Sequence, residues 1–141
     1  MEFTVEGEPL RFEAEAVIVA GYTGRERATV ESHISELAEQ GIAPPSSIPA
    51  FFSMPTNSAA IVDEVEVFHK ETSGEVEVVL VVDGSDIYLG IGSDHTDRRA
   101  ERLDIGLSKQ VCRKPLGPDL WPLDTVRDRW DTLVISREIT T

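Results

Sequence analysis

The chain has 141 residues, enough to bury one hydrophobic core without disulfides or a structural metal, so a single domain over residues 1–141 is expected. Its 26 acidic residues against 13 basic ones give a formal net charge of −13, which repels phosphate backbones and anionic lipid headgroups and argues against nucleic acid and membranes as partners. No apolar run approaches bilayer-spanning length, and Met1 to Glu6 lack a basic and then apolar leader, so a cytoplasmic location is expected.

The single cysteine, Cys112, cannot close an intrachain disulfide and reads as a small buried apolar residue; no Cys/His spacing of the zinc type occurs. Only Lys70, Lys109 and Lys114 are lysines. Many carboxylates with few lysines fit a high-salt, halophilic cytoplasm, where screening weakens self-repulsion; an ordinary acidic protein is the competing reading.

In chain order, residues 3–5 and 10–12 alternate around Glu6-Gly7-Glu8 as a hairpin, and residues 17–19 form a buried strand. A helix over 24–40 follows, with Thr23 as N-cap, Glu26 as its capping-box partner, Gly41 as C-cap and an apolar stripe of Val30, Ile34, Leu37 and Ala38. The proline-rich stretch 42–49 is an irregular loop leading to Phe51 and Phe52. Strands are expected over 65–68, 76–82 and 87–91, the last two joined by a hairpin turn at Asp83-Gly84-Ser85. A second helix starts near Asp94, capped by Ser93 or Asp94, and runs towards Leu103; a rigid turn over 114–118 and a short strand over 133–136 close the chain. The class is α+β with a mainly antiparallel sheet.

Chemistry is carried first by Glu75-Val76-Glu77, because the strand period of two puts both carboxylates on one face while Val76, Val78 and Leu80 point to the other. Their mutual repulsion must be offset by water, salt or a cation; a hard divalent ion is the functional answer and a solvated strand face the bland one. Asp94 reads as a helix cap by itself, yet the hairpin returns it towards Glu75 and Glu77, where it would be a third ligand. His33 and Glu36 lie three apart on one helical face, either as a dyad whose carboxylate orients the imidazole for general acid or base work or as an exposed pair. Lys109 is a candidate cation beside a developing enolate or carboxylate. His69 reads as a strand-end surface residue, and His95 as a residue that lines the site.

The order of these segments resembles the fumarylacetoacetate hydrolase-like superfamily. His33-x-x-Glu36 with the stretch Pro49 to Pro55, Glu75-Val76-Glu77, Ser93-Asp94-His95-Thr96-Asp97-Arg98, and Ser108-Lys109 followed by Pro115-Leu116-Gly117-Pro118 are similar to four of its motifs, over about residues 19–133. Ser93 stands where the family has asparagine, and Gln110 and Val111 where it has Ser-Phe.

The resemblance implies a β-roll lacking its C-terminal strands, with Mg²⁺ or Mn²⁺ held by Glu75, Glu77 and Asp94. The implied substrate is a small oxo acid or β-dicarbonyl compound and the implied reaction hydrolysis of a C–C bond, with His33 and Glu36 moving a proton and Lys109 steadying charge. Decarboxylation or tautomerisation at the same residues, or a non-catalytic fragment or subunit, are the alternatives. The implied assembly is a homodimer, or a pairing with a separately encoded C-terminal segment without which the chain would be nearly inactive.

Overall fold

A computed structural model describes residues 1–139. Strands β1 (Glu2–Val5) and β2 (Glu8–Arg11) form the first hairpin, its turn made by Glu6 and Gly7 at φ +51° and +91°. Two successive left-handed residues are what a two-residue turn between twisted strands requires. Strands β3 (Val17–Gly21) and β4 (Ala50–Met54) pair antiparallel as a separate ribbon, and helix α1 (Arg27–Glu39) with the loop 42–49 connects them.

Helix α1 begins three residues later than the capping signals predict. Glu26 occupies the N-cap and its carbonyl accepts from Thr29 and Val30, with no side-chain cap from Thr23. Its end follows expectation: Gly41 takes φ +82° and the Ile42 amide donates to the Leu37 carbonyl at 3.0 Å, a Schellman closure. Val30 and Leu37 are buried, whereas Ala38 is exposed.

Two-residue strands β5 (Ala59–Ala60) and β6 (Thr72–Ser73) precede the long hairpin of β7 (Val76–Asp83) and β8 (Asp86–Ser93), turned at Gly84-Ser85 with Gly84 at φ +60°. Next come β9 (Thr96–Asp97), α2 (Arg98–Glu101), α3 (Ile105–Gln110), β10 (Lys114–Pro115), β11 (Asp119–Pro122) and α4 (Leu123–Val126). The main sheet has the order β2-β1-β11-β8-β7, antiparallel except where β1 and β11 run parallel; β5 with β10 and β6 with β9 make small two-stranded pairs. The chain is therefore α+β, mainly antiparallel, with a few short helices. No helix among the described residues is long and apolar enough to cross a membrane.

Two expected strands are absent. Residues 65–68 find no strand to pair with; Phe68 is exposed and packs edge-on against His69 instead. Residues 133–136 pair with no strand among the described residues, and Val134 is exposed. In both cases β-forming residues lack the neighbour through which that preference is realised.

The inner face of the sheet buries Phe3, Val81 and Leu120, with Val79, Tyr88 and Leu116 against them. By register, Val78, Leu80, Val82, Ile87, Leu89, Ile91 and Trp121 share the opposite face, where Leu80 (53%), Val82 (56%) and Trp121 (46%) stay exposed. Gly92, near the site end of β8, is enclosed: a Cβ there would lie 2.8 Å from Leu116 and Val79 side chains and 3.0 Å from the Pro115 carbonyl. Gly92→Ala should therefore cost about 1–3 kcal/mol in urea unfolding. Gly84→Ala, in open space but left-handed, should cost about 1 kcal/mol.

Candidate functional site

The β7–β8 hairpin creates the site by its register. Val76 pairs with Ser93, and just beyond them the Asp94 amide donates to the Glu75 carbonyl at 2.8 Å while Ser93 Oγ accepts from the Glu75 amide at 3.1 Å. Asp94 is thereby drawn beside the strand end that bears Glu75 and Glu77, as the sequence predicts. It does not cap a helix, however. Asp97 does that for α2, accepting from the Arg99 and Ala100 amides.

Glu75, Glu77, Asp94, Lys109 and His33 all line one cavity of about 160 Å³, with Tyr22, Phe52, Arg98, Glu101 and Ile105. Strand β3 brings the segment around Tyr22, α1 brings His33, α2 brings Arg98 and Glu101, and α3 brings Lys109. Tyr22 has φ +59°, a left-handed conformation that is costly for a bulky residue, and its ring lies 6.2 Å from that of His33. Burial and then the Glu101 charge push the Tyr22 hydroxyl pKa up.

The carboxylates are heavily engaged by cations. Buried Lys109 hydrogen-bonds to Asp94 Oδ2 and its Nζ lies 3.8 Å from Glu75 Oε2. Buried Lys114 lies 3.0 Å from Asp94 Oδ1 and donates to the His95 carbonyl at 2.6 Å. Burial lowers the Lys114 pKa, with Asp94 opposing that shift. Arg98 pairs with Glu75, with Glu101 at 2.9 Å and with Ser73 Oγ at 2.8 Å.

Two features leave this balance incomplete. Asp94 Oδ1, although charge-paired with Lys114, is buried and accepts no well-oriented hydrogen bond. The Glu77 carboxylate has no hydrogen-bond or ion-pair partner among the described residues, and its pKa is raised by desolvation, then by Asp94 and Glu75. Glu77 is exposed as a residue, yet its carboxyl still feels both neighbouring negative charges.

These observations test the fit of a divalent ion. An all-oxygen donor set with surplus negative charge suits a hard cation such as Mg²⁺ or Mn²⁺. As the side chains stand, no group of three or more His, Cys, Asp or Glu among the described residues is arranged to hold one. The physical reason is that Lys109 and Lys114 hold Asp94 while Arg98 holds Glu75. Binding would require Lys109 to swing away from Asp94.

Glu36 stands apart: it accepts from Ser32 Oγ at 3.4 Å, lies outside the cavity wall and makes no hydrogen bond to His33, so the expected dyad is not formed. His69 is no simple surface residue. Its Nδ1 lies 2.7 Å from Oδ2 of fully buried Asp97, tying the loop before β6 to the cap of α2. His95 turns to Thr72, 2.6 Å from its Oγ1, rather than into the cavity. Cys112 is buried as expected, and burial raises its thiol pKa.

Lys114, Arg98, Glu101 and Tyr22 are the residues that sequence reasoning missed. The scarcity of lysine that singled out Lys109 applies equally to Lys114, so that signal was present. Arg98 lies within the quoted Asp94-to-Arg98 segment, but nothing in the sequence says that it reaches back to Glu75.

Compared with known families, residues 20–141 match the family described as protein of unknown function DUF2848. The chain belongs to this family. That match overturns the fumarylacetoacetate hydrolase-like assignment, to which nothing in the comparisons points. Short motifs of two to seven residues, several with substitutions, arise in unrelated chains, whereas the DUF2848 match spans residues 20–141. No curated protein and no solved structure matches the chain.

The state of Glu77 gives a pH-dependent prediction for this DUF2848 protein. Its folded pKa is raised above the ordinary 4.5, so the charged form is disfavoured in the fold and stability is lost as pH rises through the folded value. In metal-free buffer, Glu77→Gln should raise the thermal midpoint at pH 7–8, and the gain should vanish below pH 4.5. A gain that persists undiminished in acid would show that charge is not its source.

Proposed function

We propose that this chain is a divalent-metal-dependent enzyme acting on a small oxo acid or β-dicarbonyl compound, with hydrolysis of a C–C bond as its reaction. The observation that carries this reading is the convergence of Glu75, Glu77 and Asp94, at the open end of the β7–β8 hairpin, with His33 of α1 and Lys109 of α3 on one small cavity. Its volume of about 160 Å³ equals that of roughly five waters, a space suited to a compound of a few heavy atoms.

Glu75, Glu77 and Asp94 would hold Mg²⁺ or Mn²⁺, supported by the unmatched Asp94 Oδ1 and by the raised pKa of Glu77. When bound, the ion supplies Lewis-acid polarisation of the substrate oxygens. Lys109, released from Asp94, turns its ammonium to the substrate carboxylate. Lys114 and Arg98 keep Asp94 and Glu75 in place. His33 takes a proton from the attacking water and returns it to the departing carbon as the C–C bond breaks. Decarboxylation or tautomerisation would use the same residues without the attacking water.

One experiment combines metal and turnover. At Mg²⁺ about 100-fold above its Kd, the thermal midpoint should rise by the equivalent of about 2.7 kcal/mol, and Glu77→Ala should abolish that rise. With acylpyruvates and oxaloacetate as substrates, His33→Ala should lower kcat about 10²–10⁴-fold while leaving the Mg²⁺ shift intact. A midpoint indifferent to both ions would sink the metal reading, and the products distinguish hydrolysis from decarboxylation.

A second reading, association with another copy of this chain, is favoured by the outer face of β7, β8 and β11. Two chains of charge −13 repel over most of their surfaces, and the exposed residues from Val78 to Val82 carry no charge. Strand β7 is also an open sheet edge of eight residues, and a twofold axis perpendicular to it would pair it antiparallel with its own copy. Sedimentation should show a dimer that Leu80→Glu converts to a folded monomer. A wild-type monomer at tens of micromolar would remove this reading.

A further inference from the structure

A second and larger cavity, about 340 Å³, lies beside the first, formed by the proline-rich loop after α1, by β4 and by the connection from α2 to α3. The two share Phe52, Glu101 and Ile105 as a common wall. Phe52 stands at the partition. Its ring would be 3.4 Å from a Cβ on Gly106 on the side of the larger cavity, and Lys109 Nζ lies 6.0 Å from its centroid on the side of the smaller one.

Size and charge indicate what the larger space accepts. The smaller cavity alone falls below the usual range for ligand pockets, about 300–1,000 Å³, while the two together reach roughly 500 Å³. The charged side chains on the larger wall are already committed. Glu101 is held by Arg98, Arg102 pairs with Glu71 at 2.7 Å, and Asp104 caps α3 by accepting from the Leu107 amide at 2.7 Å. The wall open to a ligand sets the apolar surface of Ile42, Pro45, Phe52 and Ile105 beside the polar Ser46 and Ser47.

We propose that the larger cavity is the subsite for an uncharged substituent of the substrate, its apolar face against Phe52, which sets how long that substituent can be. The proposal rests on the reading of the smaller cavity as the site of the acid head group, and it narrows the substrate class to oxo acids bearing an alkyl or aryl tail.

Binding of pyruvate, phenylpyruvate and benzyl alcohol to the full chain with Mg²⁺, followed by calorimetry and by the methyl resonances of Ile42 and Ile105, tests this. Phenylpyruvate should bind about tenfold or more tighter than pyruvate and shift both methyls. Ala43→Trp, which fills the larger cavity from its exposed loop, should remove that gain and leave pyruvate affinity unchanged. Equal affinity for the two acids with both methyls unmoved overturns the subsite while leaving the head-group reading standing. If neither acid binds, benzyl alcohol decides: shifts of both methyls uphold the subsite although the head-group reading fails, and unmoved methyls overturn the subsite as well.

Discussion

Concentrated negative charge at the open end of one β-hairpin is the constraint on which the rest of the site depends. The register of β7 against β8 leaves no freedom here: once Val76 faces Ser93, Asp94 must lie next to Glu75, and Glu77 shares their side of the sheet. Carboxylates so placed cannot be relieved by moving the backbone. They are relieved by cations brought from elsewhere in the chain, namely Arg98 on α2, Lys109 on α3 and Lys114 on β10.

The short helices after β9 make sense in that light. α2 has four residues and α3 six, too short to be stable alone, and each is started by an aspartate that caps it, Asp97 and Asp104. Asp97 is in turn held by His69 from a distant loop. Removing one partner of a buried pair such as Lys109–Asp94 costs about 3–5 kcal/mol, so the cluster and the helices that carry its cations stabilise one another.

On the proposed function, the same arrangement would exchange one cation for another. The lysine held against Asp94 would give way to a divalent ion, and its release would put a positive charge where an anionic head group would enter. Glu77, exposed at one edge and repelled by two neighbours, is the group with most to gain from that exchange. Tyr22 in a left-handed conformation and Phe52 at the partition place two aromatic rings on the wall of this space.

Strand period and turn chemistry made the Glu75–Glu77 face, the β7–β8 hairpin, the end of α1 at Gly41 and the return of Asp94 legible from sequence, because each depends on residues within about twenty positions of one another. The family was misread, since short motifs carry little information beside a match over most of the chain. That 65–68 and 133–136 form no strand among the described residues was likewise beyond reach, as strand formation depends on a neighbour that local sequence does not specify. Which cation meets which carboxylate, the failure of Glu36 to meet His33, the His69–Asp97 tie and the two adjoining cavities were decided by tertiary structure alone. They arise where elements distant in the chain converge, and long side chains choose partners there by burial and charge, with no periodicity to announce the choice.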